Sequence, residues 1–356
     1  SPPQELATDG MNDSSETQFL DLDDMSIEAF NDMAESFGWS DGMPLYVPTE
    51  EAVRRLIEMV HGDNEPLGPV PPRQITPTMQ SLAANAVMAG CKPAYFPTVV
   101  AALRSCLAEE YNLHGTLATT HPCTNMIMMN GPARNEIELN CGPNCFGQGR
   151  RANAAIGRAL QLIMVNVAGA QPAEMDRATQ GSPGKYSFCF GENEEESPWD
   201  SYHVRKGFDG ADSVVTTLAA EPPHNINDHG SNTGKGILKT IAGTMAQAGS
   251  NNVYLNGPMF VVFGPEHAQT VARDGFTVAA VQEFLQEHSK VHVSRISAEN
   301  LESWTGQDRH AIGDYYYPAQ SPADIHVAVA GGPGKHSAFI PAFGNTAASS
   351  TRIGKA

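Results

Sequence analysis

The reactive groups of this chain are six cysteines, twelve histidines and forty carboxylates in 356 residues. A few of them fall at spacings that chemistry uses. Thr119-Thr120-His121-Pro122-Cys123 places an imidazole and a thiol two residues apart, enough to serve one metal ion or for the histidine to activate the thiol. Cys141-Gly-Pro-Asn-Cys145 is a C-x3-C pair, not the C-x2-C knuckle of structural zinc. It suits an iron–sulfur cluster or a redox dithiol. Gly147, Gly149, Arg150 and Arg151 follow directly and open a helix, whose free N–H groups and added cations would hold an anionic substrate. Cys189 ends a strand-like run. Glu192 is the first carboxylate of Glu192-Asn-Glu-Glu-Glu196 and the best placed for general-base work, although such a glutamate run is usually a solvated face.

Two further loops carry histidine. His224-Asn-Ile-Asn-Asp-His229 reads as an acid/base or metal cluster, with turn formation and capping as the plainer alternative. Gly331-Gly-Pro-Gly-Lys335-His336 would cradle an anion on backbone N–H groups, with Lys335 and His336 as charged partners. Cys91 lies just past a helix-ending glycine and joins the catalytic candidates. Cys106 falls inside a periodic apolar run and reads as a packed small hydrophobe, as does the Met126–Met129 run. No Walker A or Rossmann glycine pattern is met, so no ATP or NAD motif is present. Neither a G-x-S-x-G elbow nor an H-E-x-x-H helix appears.

The elements that must position these loops follow from periodicity and punctuation. Helices are predicted near 26–37, 49–61 (with Thr49 as N-cap), 78–89 (stopped by Gly90), from Pro97, and over 152–167, 233–248 and 278–288, with another starting near Pro265. Strands are predicted at 113–117, 126–129, 185–190, 213–219, 259–263 and 325–330, with 170–184 and 221–231 as loops. Strands alternating with helices predict an α/β body with a mainly parallel or mixed sheet flanked by helices. In such sheets the sites lie beyond the carboxyl ends of strands. No internal repeat is visible in the sequence.

Charge divides the chain in two. Residues 1–53 hold thirteen acids and no Lys or Arg, and the remaining 303 residues carry 27 acids and 22 bases, a net of only −5 out of −18. The expected organisation is an acidic, partly disordered arm over 1–37 and a catalytic body over 38–356, in one unit or two lobes near 38–210 and 211–356. The acidic balance argues against nucleic-acid binding. The absence of an 18-residue apolar run argues against a membrane span, and no signal peptide is expected at the start of this sequence. Six cysteines are too few for a disulfide scaffold of this size.

Several segments together resemble the large bacterial proteins of unassigned function that accompany small UGSC-motif (seleno)proteins. These are Met88-Ala-Gly-Cys91-Lys-Pro-Ala-Tyr95-Phe-Pro, His121-Pro-Cys123, Arg151-Ala-Asn-Ala-Ala-Ile-Gly157, Tyr186-Ser-Phe-Cys189 with Glu192-Asn-Glu194-Glu195, Pro265-Glu-His267-Ala, and the turn Gly38-Trp-Ser-Asp-Gly42. The resemblance covers about 38–340 and leaves out the acidic arm. It implies a cytoplasmic bacterial protein with a small Cys- or Sec-bearing partner, and carries no reaction with it.

The residues themselves favour an enzyme with a central cleft. Cys123, Cys141, Cys145 and Cys189 are the candidate metal or iron–sulfur ligands; Cys91, His121, Glu192, His224 and His229 are the candidate catalytic groups. Gly147, Gly149, Arg150, Arg151, Lys335 and His336 would bind a small polar, anionic substrate. The leading expectation is a metal- or iron–sulfur-assisted lyase or hydratase. A thiol oxidoreductase using Cys141 and Cys145 with a protein partner is the second, and a non-enzymatic scaffold subunit the third. A homo-oligomer is expected.

Overall fold

A computed structural model describes residues 25–354 apart from His61 and Asn64. Residues 1–24, most of the expected arm, lie outside the described residues. In chain order the helices and strands are α1 (Ile27–Ser36), α2 (Glu50–Ile57), α3 (Met79–Met88), α4 (Phe96–Cys106), α5 (Leu113–Ala118), β1 (Thr124–Asn130), α6 (Ala133–Glu136), α7 (Arg151–Asn166), β2 (Cys189–Gly191), α8 (Tyr202–Arg205), β3 (Val214–Ala220) and β4 (His224–Asn227). There follow α9 (Gly234–Met245), α10 (Asn251–Leu255), β5 (Met259–Phe263), α11 (Pro265–Arg273), α12 (Val278–His288), β6 (Val291–His292), α13 (Ala298–Gly306), β7 (Tyr315–Tyr316), β8 (Ile325–Val329), β9 (His336–Ile340) and β10 (Ser349–Arg352).

Two four-stranded mixed sheets form, ordered β10-β3-β1-β2 and β4-β9-β5-β8. The central strands β1, β3, β5 and β8 are buried on both faces, and alternation sends each face to a different layer. Ile127 and Met129 of β1 pack with Val215 and Ala219 of β3 against α3, α4 and α7. Met126, Met128, Phe190 and Leu218 point the other way and meet Phe260, Val262, Ala328 and Ile340 of the second sheet. The opposite face of that sheet, with Val261, Phe263, Val327 and Phe339, is covered by α9, α11 and α12. The body is thus a four-layer α/β/β/α sandwich.

The two sheets share one topology. In each, a central strand (β1 or β5) pairs in parallel with the next long-range strand (β2 or β8) and antiparallel with the one after (β3 or β9). The fourth strand of each set crosses to the other sheet: β4 pairs with β9, and β10 with β3. An Ala220–Ala342 bridge and the Glu221 N–H donating to Pro341 O at 2.8 Å mark the crossing. So the architecture repeats although the sequence does not, and a division near residue 210 cuts through the first sheet, leaving β1 and β2 on one side and β3 and β10 on the other.

Most long elements fall where periodicity put them, and the differences are instructive. The 113–117 segment is not a strand but helix α5, capped by the Asn112 side chain accepting from Gly115 N at 3.2 Å; a five-residue apolar run carries no decisive period. Strand β2 is only Cys189–Gly191, because Pro183–Lys185 forms a single 3-10 turn. The polar 221–231 segment contains β4, an edge strand on which polar side chains are expected. Helix α1 is packed, not free: Phe30 and Ala34 are buried, and the Asn31 side chain exchanges two hydrogen bonds with the Leu45 backbone. Among the described residues no single helix is long and apolar enough to cross a membrane; the apolar pair α3 and the Pro93–Cys106 segment is bent by 118° and contributes buried residues to the first-layer core.

Candidate functional site

The parallel pairs β1/β2 and β5/β8 end at the same place, and their following loops are sewn together. Asn193 donates from its backbone to Val329 O at 2.7 Å and from its side chain to Gly331 O at 3.2 Å. Gly331 N donates to Cys141 O at 2.9 Å. A Cβ on Gly332 would lie 2.4 Å from Pro143 Cγ, so only glycine lets the two loops approach this closely. The loops of Cys141–Gly149, Glu192–Glu196 and Gly331–His336, separate in sequence, therefore form one rim.

Glu192 is buried at the centre of that rim. It accepts from Asn130 Nδ2 at 2.5 Å, Tyr202 N at 2.7 Å and Val329 N at 3.4 Å. Burial raises its carboxyl above the usual range, against the pull of these donors and of Arg205. With its oxygens so taken, Glu192 joins the two sheets instead of facing a substrate. The run after it is only partly the solvated face expected: Glu195 and Glu196 are exposed, but Glu194 accepts from Gly131 N and Asn130, and Glu195 takes a two-pronged contact from the buried Arg134 at 2.8 and 3.0 Å. The Arg134 guanidinium holds the Glu195 carboxyl down at about 2.

Arg134 has one more partner. Its Nη1 donates to Cys141 Sγ at 3.2 Å. Cys141 is half-buried, whereas the other five cysteines are buried. Burial pushes the thiols of Cys91, Cys106, Cys123 and Cys145 up to about 12, and that of Cys189 higher still. The charge of neighbouring Cys141 adds to the effect at Cys145. Cys145 sits beneath the loop, where Asn153 of α7 donates to the carbonyls of Asn140, Cys145 and Cys189 at 3.0, 3.4 and 3.1 Å.

Beside this rim opens a cleft of about 340 Å³ between the sheets. Cys145 and Gly147 line one wall, and the Gly331–Gly334 loop and His336 the other. Lys335 reaches the His229 carbonyl at 3.3 Å, and His229 Nε2 lies 3.2 Å from His336 Nε2. The expected anion site at the start of α7 is only partly formed. Gly147 reaches the cleft, whereas Gly149 and the exposed Arg150 do not line it, and Arg151 turns away to bond Gly90 O at 2.8 Å and cover Tyr46.

Other expected site residues lie elsewhere. His121 pairs with Glu221 at 2.7 Å, stacks on Phe343 and borders a separate 540 Å³ cavity with Tyr254 and Trp304. Cys123 bonds Thr116 O and borders a 370 Å³ cavity with Lys185 and Asp176, an ion pair of 2.5 Å. Cys91 bonds Ala155 O beneath α7, and His224 is exposed on β4. The cysteines do not converge: among the described residues no group of three or more His, Cys, Asp or Glu side chains could hold a metal ion between them. Arg134, Asn130 and Asn193 were not singled out by sequence. The one available signal was the surplus of carboxylates at 192–196, which needs a buried counter-charge.

The fold and rim therefore define an α/β/β/α sandwich with a thiol-bearing inter-sheet cleft. Compared with known proteins, the chain matches no family model and no curated sequence.

Proposed function

We propose that this protein is a thiol enzyme whose reactive group is Cys141, with Cys145 as the second thiol of a dithiol pair. One observation carries the reading: of six cysteines, only Cys141 is not buried, and its sulfur accepts from a guanidinium at the carboxyl ends of the parallel strands. Disulfide exchange needs a sulfur that the substrate can reach, and the Arg134 contact fixes the position of this one. The other thiols are enclosed and held protonated by burial.

In this reading the Cys141 thiolate attacks one sulfur of a substrate disulfide and expels the other as a thiolate. A mixed disulfide results. Cys145 gives its proton to the expelled thiolate, attacks Cys141 Sγ and releases the second substrate sulfur. Two electrons pass to the substrate, and a Cys141–Cys145 disulfide remains. A small Cys- or Sec-bearing protein in a reducing cytoplasm suits this chemistry. The metal- or iron–sulfur-assisted lyase reading has less support, because the ligands it needs are spread over separate parts of the body.

Native-state alkylation with iodoacetamide, read by peptide mass mapping, tests the proposal. Label is expected at Cys141 first, with Cys91, Cys106, Cys123 and Cys189 unlabelled until denaturation. A small disulfide should then convert Cys141 and Cys145 into an intramolecular bond. An unreactive Cys141, or label spread evenly over the six, would overturn it.

A further inference from the structure

The cleft has a second cluster that thiol chemistry does not use. His229 follows β4 and His336 opens β9, 107 residues apart, yet their Nε2 atoms lie 3.2 Å from each other at the cleft mouth. We propose that His229 and His336 form a two-histidine site for a zinc-class divalent cation.

The separation is a chelate's bite. With Zn–N bonds of about 2.05 Å, nitrogens this far apart subtend about 103° at the ion, close to tetrahedral. The ring centres give an independent check. Each lies about 1.15 Å behind its nitrogen, so lone pairs aimed at one shared ion put the centres about 5.0 Å apart. The centres are 5.0 Å apart, with the rings at 79°. A linear N–H···N bond between the same atoms would separate them by about 5.5 Å.

The surroundings prepare the donors. Asn225 Oδ1 stands 3.0 Å from His336 Nδ1 and accepts a hydrogen bond from its N–H, the tautomer that leaves Nε2 with a free lone pair. Lys335 Nζ donates to the His229 carbonyl at 3.3 Å and fixes that loop beside the glycine-rich segment. Two imidazoles are one protein ligand fewer than a catalytic zinc site holds, so two positions on the ion are left to water or an external ligand. With an ammonium alongside, those positions suit an anionic ligand such as hydroxide or a carboxylate.

Calorimetric titration of the full chain with Zn²⁺ tests the site, with His229→Ala, His336→Ala, Asn225→Ala and Cys141→Ser in parallel. One ion per chain is expected. Either histidine variant should weaken binding about tenfold or more, Asn225→Ala by about tenfold, and Cys141→Ser should change nothing. No binding, undiminished binding in either histidine variant, or binding lost in Cys141→Ser would overturn the proposal. Both histidines are exposed, so thermal midpoints of the variants should match wild type. Alkylation of Cys141 is not read in this titration, so its outcome leaves the thiol proposal to its own test.

Discussion

The inter-sheet core contains a histidine that should make the fold acid-sensitive. His326 projects from β8 between the two sheets, against Phe260 and Tyr202, with its Nδ1 3.0 Å from the Tyr202 hydroxyl. Burial, then the nearby charges of Lys206 and Arg205, lower its pKa to about 3. An unfolded histidine titrates near 6.5, so between these values the unfolded chain binds a proton that the folded chain refuses. Stability is then full above pH 6.5 and falls as pH drops toward 3. From pH 7.5 to 5.0 the loss from this one group is RT ln(1 + 10^1.5), about 2 kcal/mol. That figure barely depends on the folded pKa once it lies below about 4. Urea unfolding at the two pH values, on wild type and His326→Gln, isolates it, since the amide can still accept from Tyr202 and every other titrating group cancels. Wild type should lose about 2 kcal/mol more than the variant over this interval. Equal losses in both proteins would refute the reasoning.

Three further outcomes are expected. Glu192→Gln turns an acceptor of three N–H groups into a side chain that is half donor, and should cost about 3 kcal/mol in urea unfolding at pH 7.5. Asn153→Ala frees the carbonyls of Asn140, Cys145 and Cys189; Cys145 should become open to native-state alkylation, with about 1–3 kcal/mol lost. Gly332→Ala would force the Gly331 and Cys141 loops apart, costing about 1–3 kcal/mol and raising the native alkylation rate of Cys145, whereas Gly243→Ala, with open space around it, should do neither.

The helices α3, α7, α9 and α12 and the strands β1, β3, β5 and β8 were legible because local composition decides them. Their periodic apolar faces, the caps at Thr78, Thr233 and Thr277, and the stop at Gly90 act within a few residues. Strands β4, β9 and β10 were missed. Each takes its place by pairing with a strand that is distant in sequence or belongs to the other half, and β4 and β10 are edge strands with polar faces. Glycine-rich loops after strands were the right places to look for chemistry, and Cys141, Cys145 and His336 were named from sequence. Which of them meet was not readable. Cys123 and Cys141 look equally reactive in a string of letters, but the first is enclosed beside α5 and the second lies against Arg134. By itself the sequence determined the long periodic helices and buried strands, the body's modest charge and the set of reactive residues, because those depend on neighbours along the chain. Only the tertiary structure decided that two sheets exchange their fourth strands, that Glu192 is a buried joint, and that residues 229 and 336 face each other. Those outcomes depend on which apolar faces find one another in space.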